Sequence, residues 1–196
     1  MAGVGGGVPE AMAGDNHLKV ARVDETVVVQ VFGLGNMFLA PTLQAFIESE
    51  IASGHLSFII DLNHCTGLDS TFMGTILCLS KLTGRKYGWF CLVNVADENR
   101  RLLKMLGVIN MVSIHDGDFP VTPGKMTVLL PTTDVYARQK QIHGAHRFLM
   151  DADPANQERF GPFIKALEEE MSQVPKILPP QPSPKRKKDN GSEAKS

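Results

Sequence analysis

Three polar residues, Asp69-Ser70-Thr71, stand between Cys65-Thr66-Gly67-Leu68 and a long segment in which Phe72, Met73, Ile76, Leu77 and Leu79 recur at helical spacing. Side chains of these types can do two things at the start of a helix. A carboxylate or hydroxyl close to the backbone can accept an orphan N–H of the first turn, which makes Asp69 and Ser70 good caps. An alcohol there can also carry a phosphoryl group, because the helix N-terminus offers free N–H groups and a partial positive charge. Local chemistry leaves two readings open: Ser70 caps while Thr71 fills the first turn, or the hydroxyl pair is a functional site.

The other reactive residues form weaker patterns. Asp61 and Asp69 flank one loop, as paired carboxylates would, but strand-end and cap duties account for both. Of the six histidines, His143 and His146 are three apart on an expected helix. No carboxylate or Cys completes a metal set in that helix, so a solvated or packing role is expected. Gly33-Leu34-Gly35 opens like a dinucleotide fingerprint, yet Phe38 occupies the third glycine position and no acidic residue follows at a matched strand end. It reads as a plain loop. There is no GxSxG, P-loop, HExxH or Cys-His set. The expectation is a protein that is not an enzyme and uses no cofactor and no metal. The three cysteines, Cys65, Cys78 and Cys91, are odd in number and lack CxxC spacing, which fits reduced thiols in a cytosolic protein.

Composition narrows the class further. A net charge of −1 gives no global attraction to nucleic acid or anionic membrane. The last 22 residues, Pro175–Ser196, carry a net +4, mostly from Lys185-Arg186-Lys187-Lys188. A four-residue basic cluster in such a tail reads as solvated, and direct nucleic-acid binding is not expected. No apolar run approaches the roughly 20 residues needed to span a bilayer. The start, MAGVGGGVPEAMAG, has neither the basic nor the apolar region of a secretion signal, and Ala2 removes myristoylation. A cytoplasmic location follows.

The elements that must hold the Asp-Ser-Thr step can be read around it. Leu56–Leu62 is a short apolar run with Phe58, Ile59 and Ile60 together, as in a strand buried on both faces. The HCTG stretch reads as a turn. The helix behind Ser70 stops near Gly84, and Trp89–Val95 is the next strand, completing a right-handed βαβ unit. Upstream, His17–Val23 and Glu25–Phe32 form a hairpin rich in β-branched residues, and Ala40-Pro41 opens a helix that ends at Gly54. Downstream, a helix starts at Asp97 and closes at Gly107, and Val112–His115 is a short final strand. The order β-β-α-β-α-β-α-β predicts a two-layer α/β domain over 17–116, a mixed sheet covered by helices on one side. Residues 1–16 read as a disordered lead-in and 175–196 as a disordered Pro-rich basic tail. Residues 117–174 read as a loop and a helical hairpin, with Met126–Leu130 as an edge strand or strap and Gly161-Pro162 as a kink or restart. The hairpin's apolar stripes must pack on the domain or on a second copy, and the domain is favoured because a short hairpin is marginal alone.

The pattern DLNHCTGLDSTFMGTIL resembles the STAS family, the anti-sigma-factor antagonists. There a strand ending in Asp-Leu leads through a loop to Asp-Ser-Ser/Thr-x-x-Gly at a helix start. Asp61, Leu62, Asp69, Ser70, Thr71 and Gly74 match. Many members have Gly where this chain has Phe72, which implies a bulkier local surface. The resemblance runs from Leu18 to Asp116 and leaves both ends of the chain uncovered. It implies that Ser70, or second to it Thr71, receives phosphate from a serine kinase that is also the anti-sigma factor, and that a serine phosphatase reverses the mark. It further implies a partner-binding surface that includes Asn36, Phe38, Asp69, Phe72 and Met73. A homodimer stays open. The competing expectations are a non-phosphorylated STAS scaffold in a signalling complex and a small-ligand site touching Asn36 or Asp69.

Overall fold

In the computed structural model, residues 16–116 and 124–173 are described. The Gly-rich start and the basic tail, expected to be disordered, lie outside the described residues. Strand β1 (His17–Val23) turns into β2 (Thr26–Gly35) through a two-residue link in which Asp24 has φ 51. The tight link sets an antiparallel register that pairs Val23 with Thr26 and His17 with Phe32.

Helix α1 (Ala40–Ala52), β3 (Ser57–Asp61), β4 (Cys65–Leu68), α2 (Ser70–Arg85), β5 (Trp89–Val93), α3 (Asp97–Met105), β6 (Ser113–His115) and β7 (Thr127–Leu129) follow. The sheet order is β6-β5-β3-β2-β1-β7. The β2–β3, β3–β5 and β5–β6 pairs are parallel, whereas β1 is antiparallel to both β2 and β7. Each parallel step moves the same way along the sheet through one helix. Right-handed crossovers therefore stack α1, α2 and α3 on one face, giving the expected two-layer mixed α/β architecture. The core lies between, built from Phe58 and Ile60 of β3, Leu43 and Ile47 of α1, Phe72, Ile76 and Leu77 of α2, and Leu103 of α3.

One stretch differs from the sequence reading, and a second takes one of the two forms left open there. The expected HCTG turn is largely the strand β4, which pairs in parallel with the end of β2, Gly33 with Cys65 and Gly35 with Leu68. The pairing satisfies backbone groups of β2 that run past the end of β3. Met126–Leu130 supplies β7, an edge strand on β1.

The extension forms α4 (Val135–Ala152) and α5 (Pro154–Gln173). Asp134 starts α4 by accepting a bond from the Ala137 N–H at 3.1 Å. Pro162 sits inside α5, which continues as one helical segment instead of restarting there. A proline removes one helical donor, and the carbonyl left over belongs to exposed Glu158, where water can serve it. The hairpin packs on its own domain. Leu149, Phe148 and Phe160 join the main core. At its far end Asn156, fully buried, donates from Nδ2 to the Leu106 carbonyl at 3.1 Å and the Leu149 carbonyl at 2.9 Å.

Candidate functional site

Asp69 holds the site together. Its backbone is extended, with φ −88 and ψ 169, so its side chain folds back over the first turn of α2. Oδ1 accepts the Phe72 N–H at 2.8 Å and Oδ2 accepts the Met37 N–H at 2.7 Å. Its own N–H donates to the Gly35 carbonyl at 2.9 Å. One carboxylate thus staples the start of α2 to the loop after β2. Gly35 lets the two approach: a Cβ there would lie 2.8 Å from Leu68 and 2.9 Å from Phe72. Burial pushes the Asp69 carboxyl up, against the downward pull of the Phe72 and Met37 N–H groups.

The residues expected to meet a partner are not equally available. Asn36 is buried; its Oδ1 accepts from the N–H groups of Phe38 at 3.1 Å and Leu39 at 3.2 Å, so it shapes the loop instead of presenting an amide to solvent. Phe72 is 0% exposed and Met73 2%. The bulkier surface implied by Phe72 in place of glycine is therefore not found, because the ring points into the core beneath Gly35. Phe38 and Asp69 are half-buried. Thr71 is buried, and its carbonyl accepts the Thr75 hydroxyl at 2.8 Å. Of the two residues, Thr71 is buried and Ser70 is partly exposed.

Ser70 Oγ lies 2.9 Å from Nε2 of His146, on α4. Nδ1 of the same ring is 2.8 Å from the Ile142 carbonyl. A carbonyl only accepts, so Nδ1 carries the proton of the neutral ring and Nε2 accepts from the Ser70 hydroxyl. Burial pushes the imidazole below its usual range, opposed by the Ile142 carbonyl and the Asp69 charge. Phe160 and Phe163 of α5 pack edge-on against the ring, at centroid distances of 4.7 and 5.3 Å. The imidazole is 4% exposed.

The same helix and the segment that leads into it touch the rest of the rim. Gln141 Nε2 donates to Thr75 Oγ1 and to Gln44 Oε1, both at 2.7 Å. The Arg138 guanidinium sits 4.8 Å from the Phe38 ring centre. The Thr132 N–H donates to the Phe38 carbonyl at 3.0 Å. Ala145 crosses α2 at Gly74, where a Cβ would be 2.4 Å from the Ala145 carbonyl oxygen. The glycine of the Asp-Ser-Thr-x-x-Gly pattern is thus a helix-crossing point in this chain.

His143 and His146, three apart on α4, are the residues for which a solvated or packing role is expected. The structure turns them apart, with His143 Nε2 2.7 Å from Glu168 of α5 and His146 on Ser70. Among the described residues no group of three or more His, Cys, Asp or Glu is placed to hold a metal. Asp61 is occupied at the end of β3, accepting from Gln30, Asn63 and Asn94 at 2.8–3.0 Å. Burial raises all three thiols, Cys78 to about 11. Gln141, Arg138 and His146 carry no motif. Only their shared helix face could have grouped them, and nothing in a single sequence says what that face covers.

The model of the STAS domain matches residues 17–117, more than half of the chain. No curated protein matches it. Among solved structures, an anti-sigma factor antagonist from Mycobacterium paratuberculosis is 24% identical, with 51% of this chain and 85% of that one covered and a TM-score of 0.46. The Bacillus cell fate determinant SpoIIAA in its phosphorylated form is 21% identical, with 50% and 90% covered and a TM-score of 0.43. With the sheet order, the capped α2 and the family match in agreement, the chain belongs to the STAS domain family.

Proposed function

We propose that this protein is an anti-sigma factor antagonist, a non-catalytic binding module whose partner is an anti-sigma-factor serine kinase. Ser70 is the phosphoacceptor, and a serine phosphatase resets it in the cytoplasm. The observation that carries the reading is the position of Ser70: first residue of a helix capped by Asp69, and the partly exposed member of a pair whose other residue, Thr71, is buried. A phosphoryl group there adds about −1.5 to −2 charges at the positive end of α2, where the fold tolerates it. The same charge lands beside Asp69 and repels a partner surface shaped for a neutral hydroxyl. No helix among the described residues is long and apolar enough to cross a membrane.

A second reading, a STAS scaffold that binds without being phosphorylated, draws support from His146, which already engages the Ser70 hydroxyl. Incubation with ATP and extract of the native cell, then mass spectrometry of the Leu68–Lys81 region, separates the two. Phosphate on Ser70, together with weakened capture of a kinase by Ser70→Asp at near-unchanged thermal stability, is the expected result. Partner capture with no phosphate at position 70 would favour the scaffold.

A further inference from the structure

We infer that the α4–α5 hairpin is an autoinhibitory cover over the Ser70 rim, so that a kinase reaches the hydroxyl only when the hairpin lifts. The inference rests on Ser70 being the phosphoacceptor, but the closure itself is a separate physical claim. Its evidence is the overlap of two sets of residues. The rim that a partner would meet consists of the Phe38 loop, Asp69 and Ser70. The extension contacts this rim from within the same chain: His146 on the Ser70 hydroxyl, Arg138 over Phe38, and the Thr132 N–H on the Phe38 carbonyl.

Reaction geometry makes the overlap matter. Phosphoryl transfer needs the attacking oxygen in line with the leaving oxygen, inside a kinase cleft. Ser70 Oγ instead donates its proton to His146, whose ring is backed by Phe160 and Phe163. Ala145 lies directly on Gly74, one turn along α2, so no partner surface can slide between the two helices. Closure is a property of the hairpin as a unit. It is pinned at one end by Gln141 on Thr75 and Gln44, and at the other by Asn156 on Leu106.

The test uses the full chain and two thiol reagents. In Ser70→Cys, the rate with a polymer-bearing maleimide is divided by the rate with iodoacetamide, which cancels the intrinsic reactivity of the thiol. Exposed Ser53, replaced by Cys in a second variant, gives the open reference, and fragmentation mass spectrometry locates the label. The ratio at position 70 should fall roughly tenfold or more below the reference, since the bulky reagent waits for local opening. Adding Gly74→Leu, which leaves no room for Ala145, should restore the ratio to the reference. Should that variant fail to fold, Asn156→Ala loosens the hairpin from the far end without altering α2. A ratio at position 70 equal to the reference in the otherwise unchanged chain overturns the cover.

The functional arm compares phosphate incorporation at Ser70 in the unchanged chain and in Gly74→Leu, using ATP and native extract. Faster incorporation in the variant is expected, and equal, non-zero rates overturn the autoinhibitory role. If the thiol arm reports a cover that Gly74→Leu lifts, yet neither chain takes phosphate, the phosphoacceptor assignment fails and the cover stands.

Discussion

Gly74→Ala isolates the helix crossing on which the site depends. In the interior of a helix this substitution ordinarily stabilises by up to about 1 kcal/mol, because alanine loses less backbone freedom on folding. Here the new methyl would sit 2.4 Å from the Ala145 carbonyl oxygen, 2.7 Å from its carbon and 2.9 Å from its Cβ. Two of those three atoms are backbone, so no rotamer change clears them. To reach ordinary contact at 3.4 Å, α4 must retreat by about 1 Å. A shift of that size along the bond directions would carry the Gln141–Thr75 bond of 2.7 Å and the Ser70–His146 bond of 2.9 Å past the limit of hydrogen bonding. Overpacking of this kind costs about 1–3 kcal/mol, and each weakened bond adds a fraction of about 1 kcal/mol. Against the propensity gain, a net loss of about 1–2 kcal/mol is expected. Gly84→Ala is the internal control: it lies in the last turn of the same helix with nothing within 4 Å of its added Cβ, and should be neutral or stabilising by a few tenths of a kcal/mol. Urea unfolding of both variants, followed by helical signal and by Trp89 fluorescence, gives the two free energies. If Gly74→Ala proves as stable as Gly84→Ala, the close crossing of α4 over α2 is wrong, and with it the covering of Ser70.

Two further perturbations probe the contacts around the hydroxyl. The folded state holds His146 below its usual 6.5, so under that value the unfolded chain binds more protons and stability falls as the medium is acidified. The contribution is complete above 6.5 and disappears as pH drops through the lowered folded value; His146→Gln should flatten this part of a stability profile taken between about pH 5 and pH 8, and an unchanged slope would remove His146 from the account. Asp69, raised by burial, has the opposite sign and acts in a more acidic window, upward from 3.8. Asp69→Ala removes the acceptor for both the Phe72 and Met37 N–H groups and should cost about 2 kcal/mol in thermal unfolding. Asp69→Asn, which keeps one carbonyl oxygen, should lose about half of that; equal losses would contradict the two-bond staple.

Much of the domain could be read from the chain because the signals are local. The β-branched run Val27–Val31, the apolar Phe58-Ile59-Ile60, the cap at Asp69 and the helical recurrence of Phe72, Ile76 and Leu77 each report their own backbone state within a few residues. Strand β4 escaped because Cys65-Thr66-Gly67-Leu68 has no strand composition of its own; it is extended because the overhanging end of β2 needs a partner. The availability of the rim residues escaped for a related reason. Asn36 and Met73 have the same types and spacing whether they face solvent or the core, and burial is set by what packs opposite.

Neighbouring residues alone place a hydroxyl at the mouth of a capped helix, since caps and periodicity are local signals. What that hydroxyl touches is set by long-range packing. Ser70 and His146 are 76 residues apart, and a contact at that separation depends on how two amphipathic faces dock. The docking follows from one missing side chain at Gly74 and from the apolar stripe of an extension whose partner no local pattern names.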